Sequence, residues 1–292
     1  MPMHYNSSFA GSAGNSRISS HALYYGYNES YGEQYSNSWA KRRTYGSFTS
    51  FDRFFPGIRS GVGVTISRYS DLSEQGGDSW FYKHNTTQTA LKLDFAPKFS
   101  IKGKYTISPS FGFSFYTSYV NIEPPGQQIE NGRYNNMSGR FGILFNAEHY
   151  YVGYTMQLFS SDFESISFKS YHSNVQFGYT FQRSEQSKFS FTPQVMISIR
   201  TNDEYNRENI ISNPIYNLGF RYGQFLGGVI NNLRSELVPT GFQLGWQNKG
   251  WRIVSSHEFD FEFYKIYSPS LSVRYIFNLD KKSIHIYEGS NF

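Results

Sequence analysis

The chain has 292 residues, 20% of them aromatic and 17% charged, with no cysteine and a formal net charge of +5. Lack of cysteine excludes disulfides, thiol catalysis and thiolate metal sites. Its basic residues scatter through strand-like segments (Arg68, Lys92, Arg140, Lys169, Arg200, Arg252, Arg274) instead of gathering on one face, which argues against a nucleic-acid partner.

Residues 1–15 are rich in Ser, Gly and Asn and are expected to line a lumen or lie beneath it. From 16 to 277 the chain alternates between segments about as long as a tilted membrane-crossing strand and connections of two kinds. The expected strands are 16–27, 43–54, 61–69, 85–96, 105–120, 135–146, 150–160, 166–182, 188–200, 212–220, 224–231, 237–246, 251–263 and 269–277. Longer polar loops are expected at 28–42, 70–84, 121–134, 161–165, 201–211, 232–236 and 264–268. Tight turns are expected at 55–60, 97–104, 147–149, 183–187, 221–223 and 247–250. Residues 278–292 form a C-terminal tail on the periplasmic side.

This rhythm predicts an all-β protein: a transmembrane antiparallel up-and-down β-barrel of about 14 strands, with tight turns in the periplasm and longer loops outside. Alternation is clean over 189–200, where Phe189, Phe191, Val195, Ile197 and Ile199 interleave with Ser190, Thr192, Gln194, Ser198 and Arg200. The mean hydropathy of −0.53 is too polar for a helical membrane protein, and no run of about 18 apolar residues occurs. A barrel tolerates that polarity because only every second strand residue meets lipid. A soluble β-sandwich or carbohydrate-binding module is the alternative from composition. Two features depart from an ideal barrel: Pro193 inside a strand, and a glycine-rich corner at Gly219, Gly223, Gly227 and Gly228. No secretory leader is visible in the first five residues, so a barrel expectation takes the leader as already removed.

No catalytic constellation emerges. A nucleophile-elbow Gly-x-Ser-x-Gly is absent, and no cofactor or metal is expected. Asp71, Glu74 and Asp78 lack the dense spacing of a calcium loop and read as a solvated loop. Two candidate sets remain. Tyr31, Tyr35, Trp39, Trp80, Phe81 and Tyr82 fall in or beside the first two long loops, as partner-binding anchors or as the outer aromatic girdle. Glu258, Asp260 and Glu262 share a strand face with Arg252, and Arg274 on the next strand is placed to oppose them. That set reads as a lumen charge ladder, binding or structural. His172 is expected to point inward and His257 toward the interface.

A series of short motifs, in order, resembles the PorP/SprF family of outer-membrane proteins. Asn6-Ser7-Ser8-Phe9-Ala10-Gly11-Ser12 resembles the family's opening Asn-Pro-Ala-Tyr-Ala-Gly-Ser, with Ser7 in place of Pro. Leu23-Tyr24-Tyr25 with Trp39, Gly61-Val62-Gly63-Val64, Leu91 to Ala96, Ser108 to Phe115, Tyr151 to Tyr154, Tyr171 to Tyr179, Leu218 to Tyr222 and His257-Glu258 continue it. The resemblance implies a non-catalytic adaptor or anchor in the outer membrane of a Bacteroidetes-like Gram-negative bacterium. It would serve the type IX secretion system, binding a secreted cargo or adhesin through that partner's C-terminal sorting domain and touching secretion or gliding components. A passive porin or small-molecule uptake barrel is the alternative.

Overall fold

A computed structural model describes residues 7–11, 16–30, 39–77, 80–123, 130–160, 168–182, 187–202, 209–211, 214–232, 241–260 and 266–277. The sheet is a closed antiparallel barrel of 14 strands. In chain order these are β1 (Ser16–Ser30), β2 (Trp39–Phe55), β3 (Ser60–Gly77), β4 (Trp80–Pro97, resuming at Phe99–Ile101), β5 (Tyr105–Glu123), β6 (Glu130–Asn146) and β7 (Tyr150–Ser160). Then come β8 (Phe168–Tyr179, resuming at Phe181–Gln182), β9 (Phe189–Asn202), β10 (Asn209–Ile211 and Ile215–Tyr222), β11 (Phe225–Asn232), β12 (Gly241–Asn248), β13 (Trp251–Asp260) and β14 (Ile266–Phe277). Each strand pairs with its neighbours in sequence, and β14 pairs back onto β1 from Ser16↔Phe277 to Gly26↔Tyr267. No strand edge is left open, the condition for a sheet to sit in hydrocarbon.

The barrel is built inside out. Ile66 is 58% exposed beside Thr65 at 1%, and Phe113 is 50% exposed beside Ser114 at 0%. The outward face carries Leu93, Phe111, Phe115, Phe141, Ile143, Phe220 and Leu244, while Arg17, Asp52, Lys92, Asp94 and Arg140 are buried inward. A protein surfaced this way against water would carry an apolar patch far beyond what soluble monomers tolerate. Against lipid it is the expected outer band.

The ladder breaks at two places, and both lie beside prolines. β4 lapses at Lys98, next to where the register sets Pro97 opposite Pro109, so neither can donate across the gap. β8 lapses at Thr180, next to where the register sets Pro193 of β9, which has no N–H to give, opposite Tyr179; the Thr180 and Thr192 hydroxyls lie 3.1 Å apart across the gap. The glycine corner is regular strand rather than a bulge. Gly223, at φ +59, makes the β10–β11 turn, and the Phe220 ring lies over Gly227 on the outer face.

One expected loop is absent. Residues 70–77 and 80–84 are strand, paired continuously from Ser70↔Thr87 to Gly77↔Trp80. Polar residues on both faces mimic a loop here because the hairpin rises beyond the apolar band. The wall is therefore uneven. β2 to β6 run 17, 18, 18, 19 and 17 residues. Among the described residues, the main segment of β10 and strands β11 and β12 run 8 each. A belt about 25 Å tall needs about ten tilted residues, so the tall wall projects well past it on the long-loop side.

Phe113 and its β4 partner Leu93 sit in the middle of the outer band. Phe113→Arg is expected to cost about 2–4 kcal/mol in urea unfolding from lipid vesicles, and Tyr105→Arg at the tight-turn edge about 0–1 kcal/mol.

Candidate functional site

The N-terminal segment enters the lumen at the tight-turn edge. Ser7–Phe9 form a single 3₁₀ turn, closed by the Ala10 N–H donating to the Ser7 carbonyl at 3.0 Å. Ser7, Ser8 and Ala10 have no exposed surface and Phe9 has 1%. Full burial of a segment near a chain end needs specific partners, since such segments otherwise fray.

Those partners are polar and charged side chains of the barrel wall. The hydroxyls of Ser7 and Ser8 each lie 2.7 Å from the Ser110 hydroxyl on β5. Lys98 Nζ donates to the Ser8 carbonyl at 2.7 Å. Arg17 Nη2 donates to the Phe9 carbonyl at 3.2 Å, and the Gly11 N–H donates to Asp52 Oδ1 at 2.8 Å. Arg17 also grips Asp52 through Nε at 2.8 Å and Nη2 at 3.2 Å. Asp52 on β2 thus joins the closing strand β1 to the plug in one fork.

Apolar packing completes the seat. Phe9 meets the Tyr151 ring of β7 edge-on at a centroid distance of 5.6 Å, and Phe9 and Ala10 form one buried cluster with Ala96, Leu144 and Tyr151. Shape depends on two glycines. Gly11 adopts φ +64, which side chains with a Cβ rarely reach. A Cβ on Gly61 of β3 would collide with the Ala10 carbonyl.

Beyond the plug lies a second charged layer. Arg140 Nη2 on β6 donates to Asp94 Oδ1 on β4 at 2.7 Å, and Lys92 stands on the same inward face of β4. Both carboxylate–arginine pairs are almost wholly buried, so loss of one partner would strand a charge. Plug and charges together fill the lumen along β1 to β7.

Of the family-like opening motif, Phe9, Ala10 and Gly11 are the plug itself; Asn6 and Ser12 lie outside the described residues. The loop-aromatic set divides. Tyr31 and Tyr35 lie outside the described residues, whereas Trp39, Trp80, Phe81 and Tyr82 are strand residues of the tall wall, not loop residues. Trp39 and Phe81 lie 6.1 Å apart between ring centroids, and Phe81 is exposed. Below them Arg42 forks onto Asp71 at 2.9 and 2.8 Å, with the Thr44 hydroxyl donating at 2.7 Å. Burial alone would raise the Asp71 carboxyl, but these bonds and the Arg42 charge outweigh it and hold it below its ordinary value. Asp71 is therefore bound within the sheet and is not part of a solvated loop. Among the described residues no group of three or more acids and histidines is placed to hold a metal.

The charge ladder is not assembled as expected. Register sets Arg274 directly opposite Arg252, not opposite the acids. Glu258 faces Gly241 and Ser268, Asp260 pairs with Ile266, and Glu262 lies outside the described residues. His172 stands in register between Gln157 and Arg200, and His257 faces outward, stacked on Phe242 at 5.0 Å.

Asp52 and Lys98 were not singled out in the sequence, and Asp94, Arg140 and Tyr151 were named there without a role in the lumen. They are scattered over β2, β4, β6 and β7. The signal available was their inward parity, which puts an ionised side chain where only a counter-charge can hold it.

The fold and its outer band define an outer-membrane-type β-barrel. No family model and no curated protein matches the sequence. Solved barrels do match in shape. The toluene transporter TbuX of Ralstonia pickettii is 11% identical, with 94% of this chain and 93% of that one covered and a TM-score of 0.55. The TodX deltaS2S3 mutant monoaromatic hydrocarbon channel is 9% identical over 94% and 92% of the two chains, at a TM-score of 0.53. The transport unit of the Escherichia coli autotransporter AIDA-I is 6% identical over 90% of each, at 0.50. At these identities the likeness is one of fold.

Two substitutions test the seat of the plug. Asp52→Asn keeps the shape but leaves Arg17 buried without its counter-charge, an expected loss of about 3–5 kcal/mol in urea unfolding, with faster amide exchange at Gly11. Gly61→Ala is expected to leave the barrel heat-modifiable on gels while expelling Ala10, so residues 7–11 become open to protease and bilayer conductance rises.

Proposed function

We propose that this barrel is an outer-membrane adaptor or anchor that works by binding and not by catalysis or free diffusion. The carrying observation is the plug: Ser7–Gly11 are sealed into the lumen by Asp52, Arg17 and Lys98. Four side chains and backbone groups fixed on one short segment suit a stopper better than an open pore. The plug also falls on the motif through which the chain resembles the PorP/SprF family, which supports carrying that family's role over to it.

In this reading the tall wall is the working surface. Its projecting strands carry Trp39, Phe81 and Tyr82, large rings that lose little entropy when a partner fixes them. The partner would be a type IX-secreted cargo, such as a surface adhesin, held by its C-terminal sorting domain. The tight-turn edge would meet secretion or motor components in the periplasm.

A passive uptake channel is the second reading, favoured by the shared wall of the two hydrocarbon-transport barrels. One experiment separates them. The protein is purified from native outer membranes in mild detergent, its companions are identified by mass spectrometry, and the same preparation is placed in planar bilayers. The anchor reading expects a large surface protein to co-purify through its C-terminal domain and the bilayer to stay silent. Recovery of the barrel alone, with steady ion conductance, would overturn it in favour of the channel. Trp39→Ala with Phe81→Ala is expected to lower co-purification of the partner at least about tenfold, as loss of paired aromatic anchors does, with barrel assembly unchanged.

A further inference from the structure

The plug closes only part of the barrel mouth. Its contacts run to β1 to β7, and the opposite arc, β8 to β13, frames a cavity of about 250 Å³ on the inner face. Arg221 and Arg252 line it, with Gln182, Gln243, Gln247 and Ser190. Space for it comes from Gly219, inward on β10, where most strand residues would fill the lumen.

Its chemistry is one-sided. Among the described residues no Asp or Glu lines the cavity. Among the described residues of the strands framing it, the nearest carboxylate is Glu258, six residues along β13 from Arg252, or about 20 Å at strand rise. Arg221 Nε is buried and has no hydrogen-bond partner among the described residues. A buried N–H held this way costs free energy until an acceptor reaches it. The other polar lining groups are amides and hydroxyls, which donate readily to oxyanions, and Leu226 and Val254 stand among them.

Geometry suits a shared ligand. Arg221 is one residue in from the β10–β11 turn, and Arg252 one residue in from the β12–β13 turn, so both stand at the tight-turn edge. Three strand spacings separate their backbones, roughly 14 Å along the wall, and curvature shortens the chord. Two extended arginine side chains can close that span on a ligand the size of a small polyvalent anion.

We propose that this arc of the mouth is a binding site, open to the periplasmic edge, for a small carboxylate- or phosphate-bearing anion held by Arg221 and Arg252. Arg221 is the primary grip, Arg252 the second, and the glutamines and Ser190 orient the oxygens. The site is separate from the plug and does not depend on the anchor reading.

The test is calorimetric titration of the full chain in a non-ionic detergent with citrate and, separately, with inorganic pyrophosphate. Expected is saturable binding of at least one, weakened at least about tenfold by Arg221→Gln and by Arg252→Gln, as follows from losing a charge-assisted hydrogen bond. Lys188→Gln, which removes an exposed charge on the same edge, is expected to leave binding unchanged. A stronger citrate response identifies a carboxylate ligand, and a stronger pyrophosphate response a phosphate. No saturable binding of either anion to the wild-type chain would overturn the proposal. So would binding that Arg221→Gln leaves intact in a variant still heat-modifiable on gels. Loss of partner capture with intact anion binding would fault the anchor reading alone.

Discussion

Closure of the sheet is the constraint from which the rest follows. In hydrocarbon a backbone N–H or carbonyl without a partner costs several kcal/mol, so β14 must find β1 and every strand must find both neighbours. Once closed, the sheet has no free choice about its two faces. Side chains alternate, apolar ones meet lipid, and the polar half is forced into a narrow interior. Arg17, Asp52, Lys92, Asp94 and Arg140 become core residues in a protein whose apolar residues are its surface. An interior of that kind is stable only if its charges compensate one another, and the two carboxylate–arginine pairs meet that need on the β1 to β6 side.

Asp52 links closure to occlusion. Its oxygens accept from Arg17, which belongs to the first strand of the barrel, and from Gly11, which belongs to the plug. The strand that closes the sheet and the segment that stops the lumen thus hang on one carboxylate. Phe9 and Ala10 then add apolar area beneath it, against Ala96, Leu144 and Tyr151. The glycine at position 61 acts by leaving room, because the Ala10 carbonyl occupies the space of its missing side chain. Charge fixes where the segment sits, and shape decides whether it fits.

How far the sequence reveals this depends on which property is periodic. Alternation has period two, and it exposes strand number, order and inward faces, because lipid punishes a polar outward residue at each strand in turn. It fails wherever lipid is absent. Residues 70–84 read as a loop since both faces of that hairpin lie above the apolar band and carry polar side chains. Parity also names a face without naming a partner. It places Arg252 and Arg274 inward, but only the register brings them opposite each other and leaves Glu258 beside Gly241 and Ser268. The seat of the plug was hidden for the same reason. Asp52, Lys98 and Ser110 are far apart in sequence, and they converge only because the meander winds them to one edge. Phe9, Ala10 and Gly11 were visible as a motif, but their burial was not.

The two sides of the mouth show one rule applied with different results. Along β1 to β7 three inward cations have an inward oxygen within reach: Arg17 has Asp52, Arg140 has Asp94, and Lys98 has the Ser8 carbonyl. That side is dense, and the plug belongs to its hydrogen-bond network. Along β8 to β13 glycine replaces bulk at Gly219 and Gly228, and Arg221 shares its cavity with amides and hydroxyls and with no carboxylate among the described residues. A lumen filled only for stability would carry counter-charges around its whole circumference, because uncompensated charge is the costlier arrangement. Retaining Arg221 without a lining acid on one arc, beside two arginine–carboxylate pairs on the other, is the pattern of a site whose counter-charge arrives with its ligand.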